Sequence, residues 1–296
     1  MNKLKNILLG TDFSVGSVAA RQQAVRLARW NGAGLQAVHV VDVLAVRQYA
    51  EQLERPLMLV EKEIVEQTGR RLREWLAQSG SEVEGAAIIG MPLDGLLNRA
   101  RENEASLLVL GVRGETTAHA DAGNLALKCL RKAQTKVMLV HEHHVGPFKQ
   151  VVACVDFSET ARVAVQQARH VAEQDGSQVH FIHVFSQPWL TLPQETPQRG
   201  VDAAGKYRTV LENRLREFVG NTTGLKATFQ VVEADRSAPG IADYARHTSA
   251  DLLVLGSKGL SNLKYLLLGS TVERLLREVP CSVLVVRPPA GDGGKL

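Results

Sequence analysis

What this sequence lacks narrows it first. It has 3 cysteines, Cys129, Cys154 and Cys281, widely separated and with no Cys-x-x-Cys pair. Such a set builds neither a disulfide scaffold nor a zinc site, and it fits a reducing cytoplasm. No apolar run approaches the roughly 20 residues that cross a bilayer, so a membrane is not expected as a partner. The opening residues, Met1-Asn2-Lys3-Leu4-Lys5, lead straight into a strand-like run too short for the core of a signal peptide. No charge of one sign dominates: Lys and Arg number 35, Asp and Glu 31, and the net charge is +4. Without a polybasic tract, nucleic acid is not expected either. The glycine spacings of the Walker and Rossmann fingerprints are missing, as is any Ser/His/Asp set or carboxylate pair in motif context. Nothing therefore nominates a nucleophile or general base.

What is present is an ordinary globular composition, 45% hydrophobic and 22% charged, over 296 residues. That length is more than one core usually needs, and two domains are expected. Internal repetition points the same way. Ile7-Leu8-Leu9-Gly10-Thr11-Asp12-Phe13-Ser14 lies against Val151-Val152-Ala153-Cys154-Val155-Asp156-Phe157-Ser158. Without a gap, Gln22-Gln23-Ala24 then meets Gln166-Gln167-Ala168, Gly32 meets Gly176, and His39-Val40 meets His183-Val184. Leu107-Leu108-Val109-Leu110-Gly111 matches Leu252-Leu253-Val254-Leu255-Gly256, and Lys136–Val140 matches Ser282–Val286. Matching over whole halves reads as a duplicated domain, 1–145 and 149–290, with glycine and proline interrupting the pattern near Gly146-Pro147.

Within each half, strand and helix patterns alternate. In the second, a strand ends at Val155 and Ser158 can cap a helix over Glu159–Gln174. A strand at Val179–Phe185, a helix over about Asp202–Val219 and a strand at Ala227–Val232 follow. A short helix starts near Pro239, and the chain closes on a strand at Ser282–Arg287. This alternation predicts an α/β fold with a parallel sheet covered on both faces. Ligands in such sheets bind outside the carboxyl ends of the strands, where the strand order reverses.

The stretch that carries chemistry is Gly256-Ser257-Lys258-Gly259-Leu260-Ser261-Asn262-Leu263-Lys264-Tyr265-Leu266-Leu267-Leu268-Gly269-Ser270-Thr271. It joins a buried apolar strand to a helical pattern, with glycines at both ends, two lysines and no acid. Backbone N–H groups at such a junction favour an anion, which suits a triphosphate. The plain alternative is a tight strand–loop–helix turn.

The spacing Gly256-x2-Gly259-x9-Gly269-Ser270, with the strand ending Val-Asp-Phe-Ser, the His-Val strand and the final Val-Leu-Val-Val strand, resembles the universal stress proteins. The resemblance covers both halves. It implies two tandem Rossmann-like domains of the adenine nucleotide alpha hydrolase-like type. Each has a five-stranded parallel sheet flanked by helices, with edge pairing between the last strands of the two domains as an intramolecular pseudo-dimer. It also implies a cytoplasmic protein of the stress response that binds an adenine nucleotide, ATP with Mg²⁺, and meets unknown protein partners, with a homodimer as a further expectation. Carried over residue by residue, it places nucleotide on Val155, Asp156, Val184, Gly256, Lys258, Gly259, Gly269, Ser270 and Thr271. Asp156 meets ribose, adenine or Mg²⁺, and the backbone of Val184 meets the adenine edge.

The halves differ. The first-half loop, Gly111 to Gly123, is one residue shorter, puts Asn124 in the place of Ser270, and carries Glu115 and Asp121. Like charge beside phosphate costs a few kcal/mol at intermediate dielectric. Asp12, Val40, Gly111, Gly114 and Gly123 are thus expected to make at most a weak second site. Conversely, Gly90-Met91-Pro92 after the third strand becomes Asp235-Arg236-Ser237 in the second half. His141-Glu142-His143-His144 reads as linker before metal site, and His39 and His183 read as structural. Two rivals stand beside the ATP-binding reading: a slow ATPase or phosphotransfer enzyme, and a scaffold without nucleotide that acts through protein contacts or an apolar ligand.

Overall fold

The computed structural model describes residues 4–113, 123–186, 201–259, 268–277 and 280–288, the side chains of 201–204 excepted. The chain divides into two compact units, Met1–Gly146 and Pro147–Leu296. The first runs β1 (Asn6–Gly10), α1 (Val15–Asn31), β2 (Gly34–Asp42), α2 (Val43–Gln52), α3 (Leu57–Ala77), β3 (Glu84–Gly90), α4 (Pro92–Glu102), β4 (Leu107–Gly111), α5 (Asn124–Lys132) and β5 (Lys136–Val140). The second runs β6 (Gln150–Cys154), α6 (Glu159–Asp175), β7 (Gln178–Phe185), α7 (Val201–Val219), β8 (Lys226–Glu233), α8 (Ser237–His247), β9 (Leu252–Gly256), α9 (Ser270–Leu275) and β10 (Ser282–Val286).

Each unit holds a five-stranded sheet with every neighbouring pair parallel. The order is β3-β2-β1-β4-β5 in the first and β8-β7-β6-β9-β10 in the second. The Leu-Leu-Val-Leu-Gly strands β4 and β9 bury their first four residues. Runs apolar on both faces belong inside a parallel sheet with helices on either side. Leu8, Leu9, Leu108, Val152 and Leu253 are fully buried there, and burying each such side chain contributes about 1.5–3 kcal/mol.

The helices that follow the first strand of each unit are cut from one pattern. Ser14 caps α1 by accepting the Ser17 N–H at 3.2 Å, and Ser158 caps α6 by accepting the Ala161 N–H at 3.1 Å. They end at Gly32 (φ 60°) and Gly176 (φ 65°), in the left-handed region that glycine adopts without a Cβ clash. Alanines on the inner faces, Ala20 and Ala24 in α1 and Ala164 and Ala168 in α6, are fully buried and let the helix approach the sheet closely.

Several boundaries shift by a residue or two from the sequence patterns, as where β6 ends at Cys154 and β10 at Val286. α8 starts at Ser237, ahead of Pro239, with no side-chain cap at Arg236; proline in a first turn removes an N–H that has no helical partner anyway. The helical pattern after the glycine loop folds as the short α9, which ends at Leu275. In the first unit two helices stand between β2 and β3, around a small cluster of Val46, Ala50 and Val60. Among the described residues, no helix is long and apolar enough to cross a membrane. In both units the first strand has the second and fourth on its two sides, so the crevice where strand order reverses opens at the ends of β1 and β4 and of β6 and β9.

Candidate functional site

In the second unit the chain leaves β6 through Val155-Asp156-Phe157-Ser158. Phe157 has φ 64°, a left-handed conformation uncommon outside glycine. This reversal brings Ser158 back over the aspartate: Asp156 Oδ1 accepts the Ser158 N–H at 3.0 Å and the Ser158 hydroxyl at 2.5 Å. One carboxylate oxygen thus steadies the helix cap. The other, Oδ2, faces the glycine loop, where a Cβ on Gly259 would lie 2.7 Å away.

That loop is anchored at both ends. Ser257 N–H donates to the Val286 carbonyl at 2.9 Å, and Gly269 N–H donates to the Ser257 carbonyl at 3.0 Å. The Lys258 carbonyl accepts the Thr160 hydroxyl, which ties the loop to the start of α6. A Cβ on Gly256 would stand 3.0 Å from Thr160 Cβ and Oγ1, whereas one on Gly269 would find ordinary contact at 3.5 Å. A side chain at Gly256 or Gly259 would thus make Thr160 or Asp156 shift, whereas one at Gly269 would not.

These residues wall a cavity of about 170 Å³. Its lining brings together Val155, Asp156, Val184, Gly256, Gly259, Gly269, Ser270 and Thr271, with Asp156 the one acid among the described lining residues. Lys258 is not in the wall, and Lys264 lies outside the described residues. Sequence reasoning missed Cys154, His183, Ser237 and Ile241, all of which line it. Ser237 and Ile241 are one turn apart on α8 and present one face. His183 donates Nδ1–H to the Val155 carbonyl at 2.7 Å. Burial lowers its pKa, the Val155 bond and the Asp156 charge opposing and Arg214 reinforcing the shift, so the ring is neutral near pH 7. Burial also pushes the Cys154 thiol up. The only forewarning of the histidine was its match with His39 in the repeat.

The first unit has a cavity at the equivalent place, about 480 Å³, lined by Asp12, Val40, Gly111 and Gly123 together with Thr11, Ser17, His39, Pro92, Leu96, Arg113 and Asn124. Gly114, Glu115 and Asp121 lie outside the described residues. Asp12 Oδ1 accepts the Ser14 N–H at 3.0 Å and the Ser17 hydroxyl at 2.7 Å. Where the second unit sets Thr160 on Gly256, the first sets backbone on backbone: a Cβ on Gly16 would meet the Arg113 carbonyl oxygen at 2.5 Å, and one on Gly111 would meet Gly16 at 2.7 Å. Arg113 is ion-paired with Glu142. The roomier cavity thus belongs to the half whose loop carries acids, and the smaller one to the half with the basic loop. Among the described residues, no group of three or more His, Cys, Asp or Glu is placed to hold a metal ion.

Comparison with known proteins agrees with this architecture. The model of the universal stress protein family matches residues 3–141 and again 147–287. The chain belongs to the universal stress protein family. A universal stress protein of Mycobacterium tuberculosis is 25% identical over 307 residues, covering 96% of this chain and 95% of the relative. One from Synechocystis is 30% identical over 154 residues, 47% of this chain and 98% of the relative, so single-domain members align with one half. Among solved structures, a universal stress protein from Archaeoglobus fulgidus has a TM-score of 0.65 at 19% identity over 96% of this chain and 98% of its own, a likeness of fold.

Proposed function

We propose that this tandem universal stress protein is a nucleotide-dependent regulator or protective protein of the stress response, with ATP bound mainly by its second domain. The observation that carries the reading is the convergence of Asp156, Val184 and the three loop glycines on one cavity whose described lining holds a single acid. About 170 Å³ is small against the roughly 300–1,000 Å³ usual for ligand sites. The base and ribose would then take the Val184 and Asp156 side of the cavity, with the phosphates leaving it past Gly259 and Gly269, toward Ser270 and Thr271. Asp156 Oδ2 faces that side and would meet a ribose hydroxyl or a phosphate-bound Mg²⁺; the phosphates would supply most of the ion's ligands.

The first domain has more room but is the poorer triphosphate site. Its lining arginine is neutralised by Glu142, and its loop adds Glu115 and Asp121. Binding would act by population shift, nucleotide favouring the arrangement that protein partners recognise.

The test is calorimetric titration of ligand-free protein with ATP and Mg²⁺, for wild type and Gly259→Glu. One site per chain, lost in the variant, is the expected result. Two sites would overturn the ranking of the domains, and no binding by wild type would favour the scaffold reading.

A further inference from the structure

In both units one histidine grips the residues on either side of the pocket aspartate. His183 Nδ1 donates to the carbonyl of Val155 at 2.7 Å, and its ring packs on Phe157 at a 45° tilt with centroids 4.5 Å apart. Asp156 is the residue between these two. The Phe157 ring also lies under the Arg214 guanidinium, whose carbon is 4.1 Å from the ring centre, and takes the Phe218 ring edge-on at 5.5 Å.

The first unit repeats the arrangement around Asp12. His39 Nδ1 lies 2.7 Å from the Thr11 carbonyl, its ring is 4.7 Å from Phe13, Arg71 covers Phe13 at 4.2 Å, and Trp75 meets it edge-on at 5.8 Å. The edge-on ring is tryptophan in one unit and phenylalanine in the other. The geometry is nevertheless kept, down to the left-handed φ of 66° at Phe13 and 64° at Phe157. A left-handed conformation in a bulky residue persists only where its surroundings over-determine it. Here the surroundings are the stack together with the hydrogen bonds of the turn, from the Ser14 N–H to Asp12 and from the Ser158 N–H to Asp156.

Neither Phe157 nor Arg214 lines the cavity, whereas Asp156 and His183 do. We propose that the Arg214–Phe157–His183 stack is a positioning device for the second domain's ligand site, holding Asp156 toward Gly259 before ligand arrives, and that Arg71–Phe13–His39 does the same for Asp12. Pre-setting the carboxylate removes an ordering cost from binding. The inference rests on the nucleotide reading of that domain for its ligand, but on the described contacts alone for its geometry. A stack that merely stabilised the core would lower stability without acting through the aspartate.

A double-mutant cycle separates the two. Phe157→Leu is expected to raise the Kd for ATP about tenfold, the scale set by losing ring stacking and a cation–π contact. In an Asp156→Asn background, the same change is expected to move Kd less than about twofold. Phe13→Leu, which perturbs the equal stack of the first unit, leaves that Kd unchanged. Should Phe157→Leu fail to fold, Arg214→Met keeps the stem, removes the cation and is expected to raise Kd about threefold. Equal effects in both backgrounds, or none, would overturn the proposal.

Deuterium exchange at the Ser158 amide gives a readout that needs no nucleotide, because that N–H is bonded to Asp156 Oδ1. Faster exchange in Phe157→Leu and Arg214→Met, with the rest of α6 unchanged, is expected. If wild type bound no ATP, the nucleotide reading would fall while faster Ser158 exchange still upheld the stack; unchanged exchange would overturn the stack itself.

Discussion

Replacing Gly259 by alanine probes the second domain's cavity at its tightest contact. The added methyl would sit 2.7 Å from Asp156 Oδ2, inside the 3.0 Å that Cβ atoms essentially never breach. No left-handed φ is involved, so the objection to alanine is contact alone. Either the loop withdraws or the carboxylate swings away, and swinging forfeits the two Ser158 hydrogen bonds at 3.0 and 2.5 Å. Hydrogen bonds to a charged acceptor are worth about 1.5–3 kcal/mol each. The turn is only half-buried, and water replaces part of what is lost, leaving a net cost of about 1–2 kcal/mol. Charged to the ligand, that is roughly a 5- to 30-fold loss of affinity. Gly269→Ala is the control, because its Cβ would meet only the Ser257 carbonyl at 3.5 Å. Titration calorimetry with ATP and Mg²⁺ on both variants, beside thermal unfolding, decides the matter. Wild-type affinity in Gly259→Ala, or an equal loss in Gly269→Ala, would refute the contact argument.

Three further outcomes follow from the same geometry. Ser158→Ala removes both the α6 cap and a partner of Asp156, and is expected to cost about 1 kcal/mol of second-domain stability by denaturant unfolding; an unchanged midpoint would contradict the cap. His39, His180 and His183 have pKa values lowered chiefly by burial, so below about 6.5 the unfolded chain binds more protons than the native one. Stability is then fully present above that pH and declines from pH 6.5 toward 5, by less than about 1.4 kcal/mol per ring per pH unit because the rings are partly exposed; a melting temperature that stayed level or rose would refute this. Cys129 and Cys281 are buried, with thiols pushed up to about 12, so a thiol reagent at pH 8 should label them only as fast as the protein opens; rapid labelling of native protein would show otherwise.

Much of this was legible in the sequence because it rests on short-range rules. The Leu-Leu-Val-Leu-Gly runs, short, apolar and ended by glycine, read as buried parallel strands, and the Ser14/Gly32 and Ser158/Gly176 pairs mark helix ends by local backbone chemistry. The duplication itself needs no coordinates. Tertiary structure decided what depends on residues far apart in the chain. Thr160 Oγ reaches the Lys258 carbonyl and thereby places the glycine loop; nothing in a window around either residue announces that contact. The cavity walls drew in Ser237 and Ile241 from a helix whose sequence departs from the first half, and left out Lys258, which the family resemblance places at the nucleotide. Packing also distinguishes the two units where the sequence repeats: Gly16 stands against Gly111 in the first, and Thr160 against Gly256 in the second. The His–Phe–Arg stacks show the division most clearly: their members stand in matched places along the sequence, but only the fold brings strand, turn and helix around one carboxylate.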